Sequence, residues 1–265
     1  MIRLIASDLD GTLMHDDRSV PDEFYRLYAA LKSRGVTFVA ASGNQSSTLC
    51  HVLEPIQDEL TYISDNGGLI VRAGRVLHEE AIPEDALLTS LELLRQFPQC
   101  MPVCSGREYS LVYEHDRPRA QPALVYLRTH RYVPDLRDHL QGIYKLAICN
   151  LTGDVSKDAE VLRPMLPEGV RLVTSGNGWM DITSLAASKG NALHWLQRDL
   201  GISPEETMAF GDQMNDADMM RRARYSFAMD NADPNLKQVA RYTAPSNQQD
   251  GVVQVLRRVW NGEFD

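Results

Sequence analysis

Apolar runs and helical-period stretches alternate at both ends of this chain, and a different rhythm separates them. The run Ile2-Arg3-Leu4-Ile5-Ala6 has the near-continuous apolar character of a strand buried on both faces of a parallel sheet, and it predicts a strand over 2–7. Phe24, Leu27, Tyr28 and Leu31 recur at helical spacing and predict a helix over 21–34, stopped by Gly35. A strand over 36–41, a helix over 45–53 and a short strand over 61–64 follow. Segments 69–72 and 75–78 then form a hairpin around Ala73-Gly74. The character changes near Pro83. A helix over 84–97 leads to short strands over 101–105 and 109–114, then to a polar stretch rich in Arg and Pro. A strand over 144–150, a helix over 156–165 and strands over 170–174 and 178–183 complete this part. Regular alternation returns after Ser184. The helix over 189–200 carries Ala192, Leu193, Leu196 and Leu200 on one face and ends at Gly201. Ser203-Pro204-Glu205-Glu206 is a capping box with proline at the first helical position. A strand over 207–210, a helix over 215–223, a strand over 225–229 and helices over 234–240 and 252–260 finish the chain. Asn247-Gln248-Gln249-Asp250 reads as a polar loop.

This order predicts an α/β protein. Residues 1–82 and 185–265 form a doubly wound parallel-sheet core, and 83–184 form an inserted α+β module. The chain of 265 residues, 43% hydrophobic and 24% charged, has the composition of a soluble globular protein. Its net charge of −9 argues against nucleic-acid and anionic-membrane partners, which favour basic surfaces. No stretch has the length or apolarity of a signal sequence or a membrane span, so the cytoplasm is expected. Cys50, Cys100, Cys104 and Cys149 lack the spacing of a zinc site or a disulfide framework and are expected to be free thiols.

The candidate chemistry lies at strand ends. Asp8 and Asp10 stand one residue apart where the first strand gives way to Gly11-Thr12. In open α/β sheets, ligands bind just beyond the carboxyl ends of strands. Two carboxylates so close repel unless a cation or a shared proton intervenes, which points to a divalent-metal site with one carboxylate acting as nucleophile or acid/base. A loop with two solvated aspartates has the same spelling. In Gly211-Asp212-Gln213-Met214-Asn215-Asp216, Asp212 again follows an apolar strand. Asp8, the main-chain carbonyl of Asp10 and Asp212 together offer the hard oxygen donors that Mg²⁺ takes. Asn215 and Asp216 suit a functional role and helix capping alike. Lys189 opens a helix, where its charge opposes the dipole, so either a local anion answers it or it is a solvated surface lysine. Ser42-Gly43-Asn44 follows a strand and precedes a helix. It fits a phosphate cradle or an ordinary N-cap.

The set Asp8-x-Asp10-Gly11-Thr12, Ser42, Lys189 and Gly211-Asp212-x-x-Asn215-Asp216 resembles the haloacid dehalogenase superfamily of phosphotransferases. The insertion between Ser42 and Lys189 looks like that family's large α/β (C2-type) cap on a Rossmann-like core, the arrangement of its Cof-type, or class IIB, hydrolases. Ala41-Ser42-Gly43-Asn44-Gln45, Asp65-Asn66-Gly67-Gly68 and Ser226-Phe227-Ala228-Met229 resemble the bacterial sugar phosphatases of that group. Many relatives carry Thr-Gly-Arg where this chain has Ser42-Gly43-Asn44. The resemblance implies a Mg²⁺-dependent phosphatase of small phosphomonoesters, most simply sugar phosphates. Asp8 would be the nucleophile that becomes phosphorylated, and Asp10 the acid/base. Lys189, Ser42, Gly43 and Asn215 would hold the phosphoryl group. Asp8, Asp10 and Asp212 would hold the metal, with Asp216 and Thr12 supporting them. Arg107, Tyr109, His115 and Asn177 are candidates for choosing the leaving group. The expected partner is a small phosphorylated metabolite, and the expected state a monomer or weak homodimer. A dehalogenase, a phosphomutase and a non-catalytic phosphate-binding regulatory module are the competing readings.

Overall fold

The computed structural model describes residues 1–124, 127, 129–151, 155–176 and 178–264. Along the chain come β1 (Leu4–Asp8), α1 (Asp22–Ser33), β2 (Thr37–Ala41), α2 (Ser46–Val52), β3 (Thr61–Ser64), β4 (Leu69–Arg72) and β5 (Arg75–Glu79). Next come α3 (Glu84–Leu94), β6 (Cys100–Gly106), β7 (Ser110–Tyr113), α4 (Gln121–Leu124), β8 (His130–Val133), β9 (Ile143–Asn150), α5 (Ser156–Leu162), β10 (Val170–Gly176) and β11 (Trp179–Ser184). The last part holds α6 (Lys189–Leu200), β12 (Thr207–Gly211), α7 (Ala217–Arg221), β13 (Tyr225–Met229), α8 (Pro234–Val239), β14 (Tyr242–Ala244) and α9 (Gly251–Trp260).

The first and last parts build one sheet in the order β14-β13-β12-β1-β2-β3-β4-β5. It is parallel from β14 through β3, and the β4–β5 hairpin extends it antiparallel. β1 lies inside, and all five of its residues are buried, which is why its sequence is apolar almost throughout. The chain runs outward from β1 in both directions, so β1 sits where the strand order reverses. The crevice at such a point is where doubly wound folds bind ligands. Helix α1 begins with Asp22 and Glu23 in its first turn and ends near Lys32, each charge matched to the helix dipole. It packs Phe24 edge-on against Phe38 of β2, with ring centroids 5.1 Å apart. Helix α9 buries Val252, Val253, Val255, Leu256 and Val259.

The middle part builds a second sheet in the order β10-β11-β9-β6-β7-β8. It is antiparallel except between β7 and β8. Successive side chains of a strand point to opposite faces. One face packs Cys104, Leu146, Ile148 and Ile182 among side chains of α3 and α5. Val103, Ala147 and Cys149 belong to the opposite face. Among the described residues no helix is long and apolar enough to cross a membrane. The four cysteines are free, as expected, and three are buried.

Several elements depart from expectation. β8 lies within the polar Arg- and Pro-rich stretch, and β14 is a three-residue edge strand; both are too short and polar to show a period. The helix expected over 215–223 splits into a tight turn, Met214–Asp216, and α7. The capping box at Ser203 closes one turn, Pro204–Glu206, and not a longer helix. Asn247–Gln249 is an ordered turn, in which the Asn247 amide donates to the Met14 carbonyl and the Asp16 carboxylate, each at 2.9 Å.

Phe24 is fully buried in the α1–β2 contact. Phe24→Ala should therefore cost about 3–5 kcal/mol of unfolding free energy, by loss of transfer energy and opening of a cavity. Urea unfolding checks this, and a loss below about 1 kcal/mol, typical of a surface change, would contradict the packing.

Candidate active site

Parallel register brings the chemistry to one edge. Asp8 ends β1, and Asp212 directly follows β12, the neighbour in which Phe210 sits opposite Ser7. On the other side Asp8 sits opposite Ala41 of β2, so Ser42 starts its loop at the same edge. Gly11 adopts φ +72°, and a Cβ there would come within 2.4 Å of Asp212 Oδ2. At Gly211 a Cβ would lie 2.5 Å from Asp216 Cγ. Glycine at 11 lets the turn after β1 close on Asp212, and glycine at 211 lets the 211–216 turn fold back on itself.

Lys189 organises the acids. Ser188 caps α6 by accepting the Asn191 N–H at 2.9 Å. This places Lys189 in the first turn, pointing into the sheet edge. Its ammonium donates to Asp8 Oδ1 at 2.6 Å and to Asp216 Oδ1 at 2.7 Å, and the residue is 1% exposed. The dipole mismatch seen in the sequence is thus answered by two carboxylates. Asp216 Oδ2 accepts the main-chain N–H of Asp212 at 3.0 Å and of Gln213 at 3.1 Å. Both of its oxygens are committed, one to the lysine and one to the turn. Asp212 accepts from the Thr12 hydroxyl at 3.2 Å and from the Gln213 amide at 3.1 Å.

The electrostatics follow from burial. Desolvation raises the Asp8 carboxyl well above the ordinary range; Lys189 opposes the rise, and Asp216 and Asp212 add to it. Burial, then Asp216, pushes Asp212 up to about 6. Burial alone would lower the Lys189 ammonium, but Asp216 and Asp8 outweigh it and hold it above its usual value. One lysine faces three buried carboxylates whose oxygens approach within 4.8 Å of one another. If all ionise, an excess of negative charge remains. The donor set is all oxygen and anionic, which fits a hard divalent cation such as Mg²⁺.

A cavity of about 220 Å³ opens over Asp8 and Asp10. Asp10 is exposed, and its Oδ2 accepts the Asn44 side-chain amide at 2.8 Å. The Ser42 hydroxyl accepts the Asn44 N–H at 3.1 Å. Ser42, Gly43 and Asn215 line the cavity, whereas Lys189, Asp212, Asp216 and Thr12 lie beneath it. Asn215 gives its amide to Asn66 Oδ1 at 3.1 Å. The opposite wall comes from one face of the second sheet and includes Val103, Ser105, Lys145, Ala147, Trp179 and Asp181. Three of the candidates named for leaving-group choice lie elsewhere. Arg107 and Tyr109 line a separate groove. The His115 side chain is 68% exposed and stacks on Tyr113. Asn177 falls outside the described residues. Sequence reasoning passed over Lys145 and Asp181. Their signal was a lone charge in an otherwise apolar strand, which a buried strand does not carry without a partner.

The haloacid dehalogenase-like hydrolase family matches residues 5–256 of this sequence. The chain belongs to this family. It is 32% identical over 99% of its length to the 5-amino-6-(5-phospho-D-ribitylamino)uracil phosphatase YbjI of Escherichia coli K12, covering 97% of that protein. A protein of Streptococcus mutans UA159 superposes with a TM-score of 0.89 at 25% identity, covering 98% of this chain and 99% of the other. A subclass IIB sugar phosphatase shares the fold with a TM-score of 0.81 at 18% identity, over 97% and 98% of the two chains.

In this haloacid dehalogenase-like hydrolase the two sheets are clasped beside the cavity. The Ser105 hydroxyl donates to Asp65 Oδ1 at 2.7 Å, and the Asn66 amide donates to Asp181 Oδ2 at 3.0 Å. Gln45 donates to the Gly106 carbonyl at 3.1 Å. Burial pushes the Asp65 carboxyl up to about 6, against the pull of Lys145 and the Ser105 hydroxyl. Its folded value lies above its unfolded one, so between about pH 4 and pH 6 the folded chain keeps a proton that the unfolded chain has lost. Asp65 thus lowers stability as pH rises through that window, and the effect levels off above it. Asp65→Asn should remove this slope and gain on the wild type by up to about 3 kcal/mol between pH 4 and pH 7. Urea unfolding at the two pH values checks this; a stability difference that does not change with pH would refute the assignment.

Proposed function

We propose that this chain is a Mg²⁺-dependent phosphatase of small phosphomonoesters, chiefly sugar phosphates, that works through a phosphoaspartyl intermediate on Asp8. The observation that carries this reading is a pair of unlike carboxylates over one cavity. Asp8 is buried and held by a lysine at 2.6 Å, while Asp10 is exposed and held by an amide at 2.8 Å. The ammonium of Lys189 favours the ionised, nucleophilic form of Asp8 and fixes its orientation. Asp10 is placed where it exchanges protons with the leaving group and with water.

An Asp8 oxygen attacks phosphorus, and the ester P–O bond breaks. Asp10 gives its proton to the departing alkoxide. A water then attacks the phosphoaspartyl group and loses a proton to Asp10, and the bond from Asp8 to phosphorus breaks to release inorganic phosphate. Proton transfer of this kind contributes about 10²–10⁴-fold. Ser42, the Gly43 main chain and Asn215 would bind the phosphoryl oxygens. Held by Asp8, Asp212 and the Asp10 carbonyl, Mg²⁺ would supply Lewis-acid neutralisation of the phosphoryl charge. The second sheet would act as a cap over 83–184 that excludes water from the reacting atoms. The E. coli relative is named for a substrate whose phosphate sits on a ribityl chain. The apolar wall of Val103, Ala147 and Trp179 offers packing for the carbon skeleton of such a leaving group.

Asp8→Asn should stay folded and lose turnover of an aryl phosphate by roughly 10⁴-fold or more, as loss of a nucleophile does. Normal turnover in that variant would remove Asp8 from the nucleophile's role. Thorough treatment with EDTA should silence the wild type, and added Mg²⁺ should restore it. Full activity after chelation would refute the metal requirement.

A further inference from the structure

A phosphate dianion entering this cavity meets three lining carboxylates: Asp8, Asp10 and Asp181. The lysine of the core is already engaged: Lys189 is 1% exposed and gives its ammonium to Asp8 and Asp216. Nor does the loop after β2 bring a cation. Asn44 is uncharged, and its amide is committed to Asp10. Among the described residues, the one cationic side chain that lines the cavity is Lys145.

Lys145 belongs to the second sheet yet reaches the core loop. Its ammonium donates to the Gly43 carbonyl at 2.6 Å and stands 3.8 Å from Asp181 Oδ2, beyond hydrogen-bond length. That carboxylate oxygen already accepts from Asn66. The side chain is 12% exposed; the Asp181 and Asp65 carboxylates both feel its charge, while its hydrogen bond goes to the neutral Gly43 carbonyl. An ammonium has three donors. Register places a polar row beside it: Ser105 sits opposite Lys145 on β9 and opposite Ser110 on β7. The Ser110 hydroxyl also lines the cavity, and it is buried with no hydrogen-bond partner among the described residues. A charged donor and an unused hydroxyl donor thus face the same space from the second sheet.

We propose that Lys145 binds the phosphoryl group of the substrate from the second sheet, supplying the positive charge that the Ser42–Asn44 loop lacks. This rests on the phosphatase reading above. It also ties binding to closure, because the ammonium reaches the loop only when β9 lies against it.

The test compares the full-length wild type with Lys145→Met and Lys145→Gln, each with Mg²⁺ present. Methionine removes the charge and the donor. Glutamine removes the charge and keeps an N–H for the Gly43 carbonyl. Thermal unfolding verifies that each variant is folded. Calorimetry with inorganic phosphate and steady-state kinetics with p-nitrophenyl phosphate provide the readouts. Both variants should lose phosphate affinity by about 10- to 100-fold, the worth of a charged hydrogen bond, and KM should rise more than kcat falls. Unchanged phosphate affinity in a folded variant, or a fall in kcat alone, would overturn the proposal, since a residue that only props the loop gives that result. Absence of phosphate binding by the wild type overturns it too. If the wild type binds phosphate through Lys145 but hydrolyses no phosphomonoester, the phosphatase reading fails and this one stands.

Discussion

The ion cluster of Lys189 with Asp8 and Asp216 is the constraint on which the rest of the site depends. A buried charge is costly unless it is paired and hydrogen-bonded. Here one ammonium bridges two carboxylates, from the end of β1 and from the turn after β12. Removing the lysine would leave two buried carboxylates without their counter-charge. The cluster therefore locks three separate parts of the chain, residues 8, 189 and 216, into one arrangement. Asp216 extends the lock to the main chain by accepting two N–H groups of its own turn. That turn fixes Asp212 beside Asp8.

This cluster sits where the parallel sheet reverses its strand order, with β12 on one side of β1 and β2 on the other. Strand pairing supplies the coarse convergence, and glycine supplies the fine one. Gly11 lets its turn approach Asp212 closer than any side chain permits, and Gly211 makes room for Asp216 within the second turn. The result is a division into layers. Lys189, Asp212, Asp216 and Thr12 lie beneath, out of contact with the cavity. Asp8 and Asp10 face it, with Ser42, Gly43 and Asn215 at their side. Such layering holds the cavity-facing carboxylates in place through buried neighbours.

The second sheet completes the cavity through its alternation. One face is spent on helices α3 and α5, and the other presents Val103, Ala147, Trp179, Lys145 and Asp181 to the core. Polar clasps from Asp65, Asn66 and Gln45 meet this face near the cavity, where a purely apolar contact would leave those buried side chains unpaired. Contacts of that kind are specific in geometry but limited in area.

Sequence by itself determined the α/β class, the parallel core and the strand-end placement of Asp8, Ser42 and Asp212, because buried parallel strands must be apolar and their ends must turn. It also marked Lys189, whose charge against the helix dipole demanded a partner. Short polar strands such as β8 and β14 escaped it, since four residues or fewer carry no period. The split of the 215–223 helix escaped it as well, because Asp216 caps backward onto Asp212 instead of continuing forward. Only the tertiary structure decided that Asn44 is bound to Asp10, that Lys189 is buried between Asp8 and Asp216, and that Lys145 and Asp181 line the cavity. Each of these depends on which strands are neighbours and which face of a sheet looks inward. Local pattern fixes the period of a strand, but the partner across a gap of a hundred residues is set by folding alone.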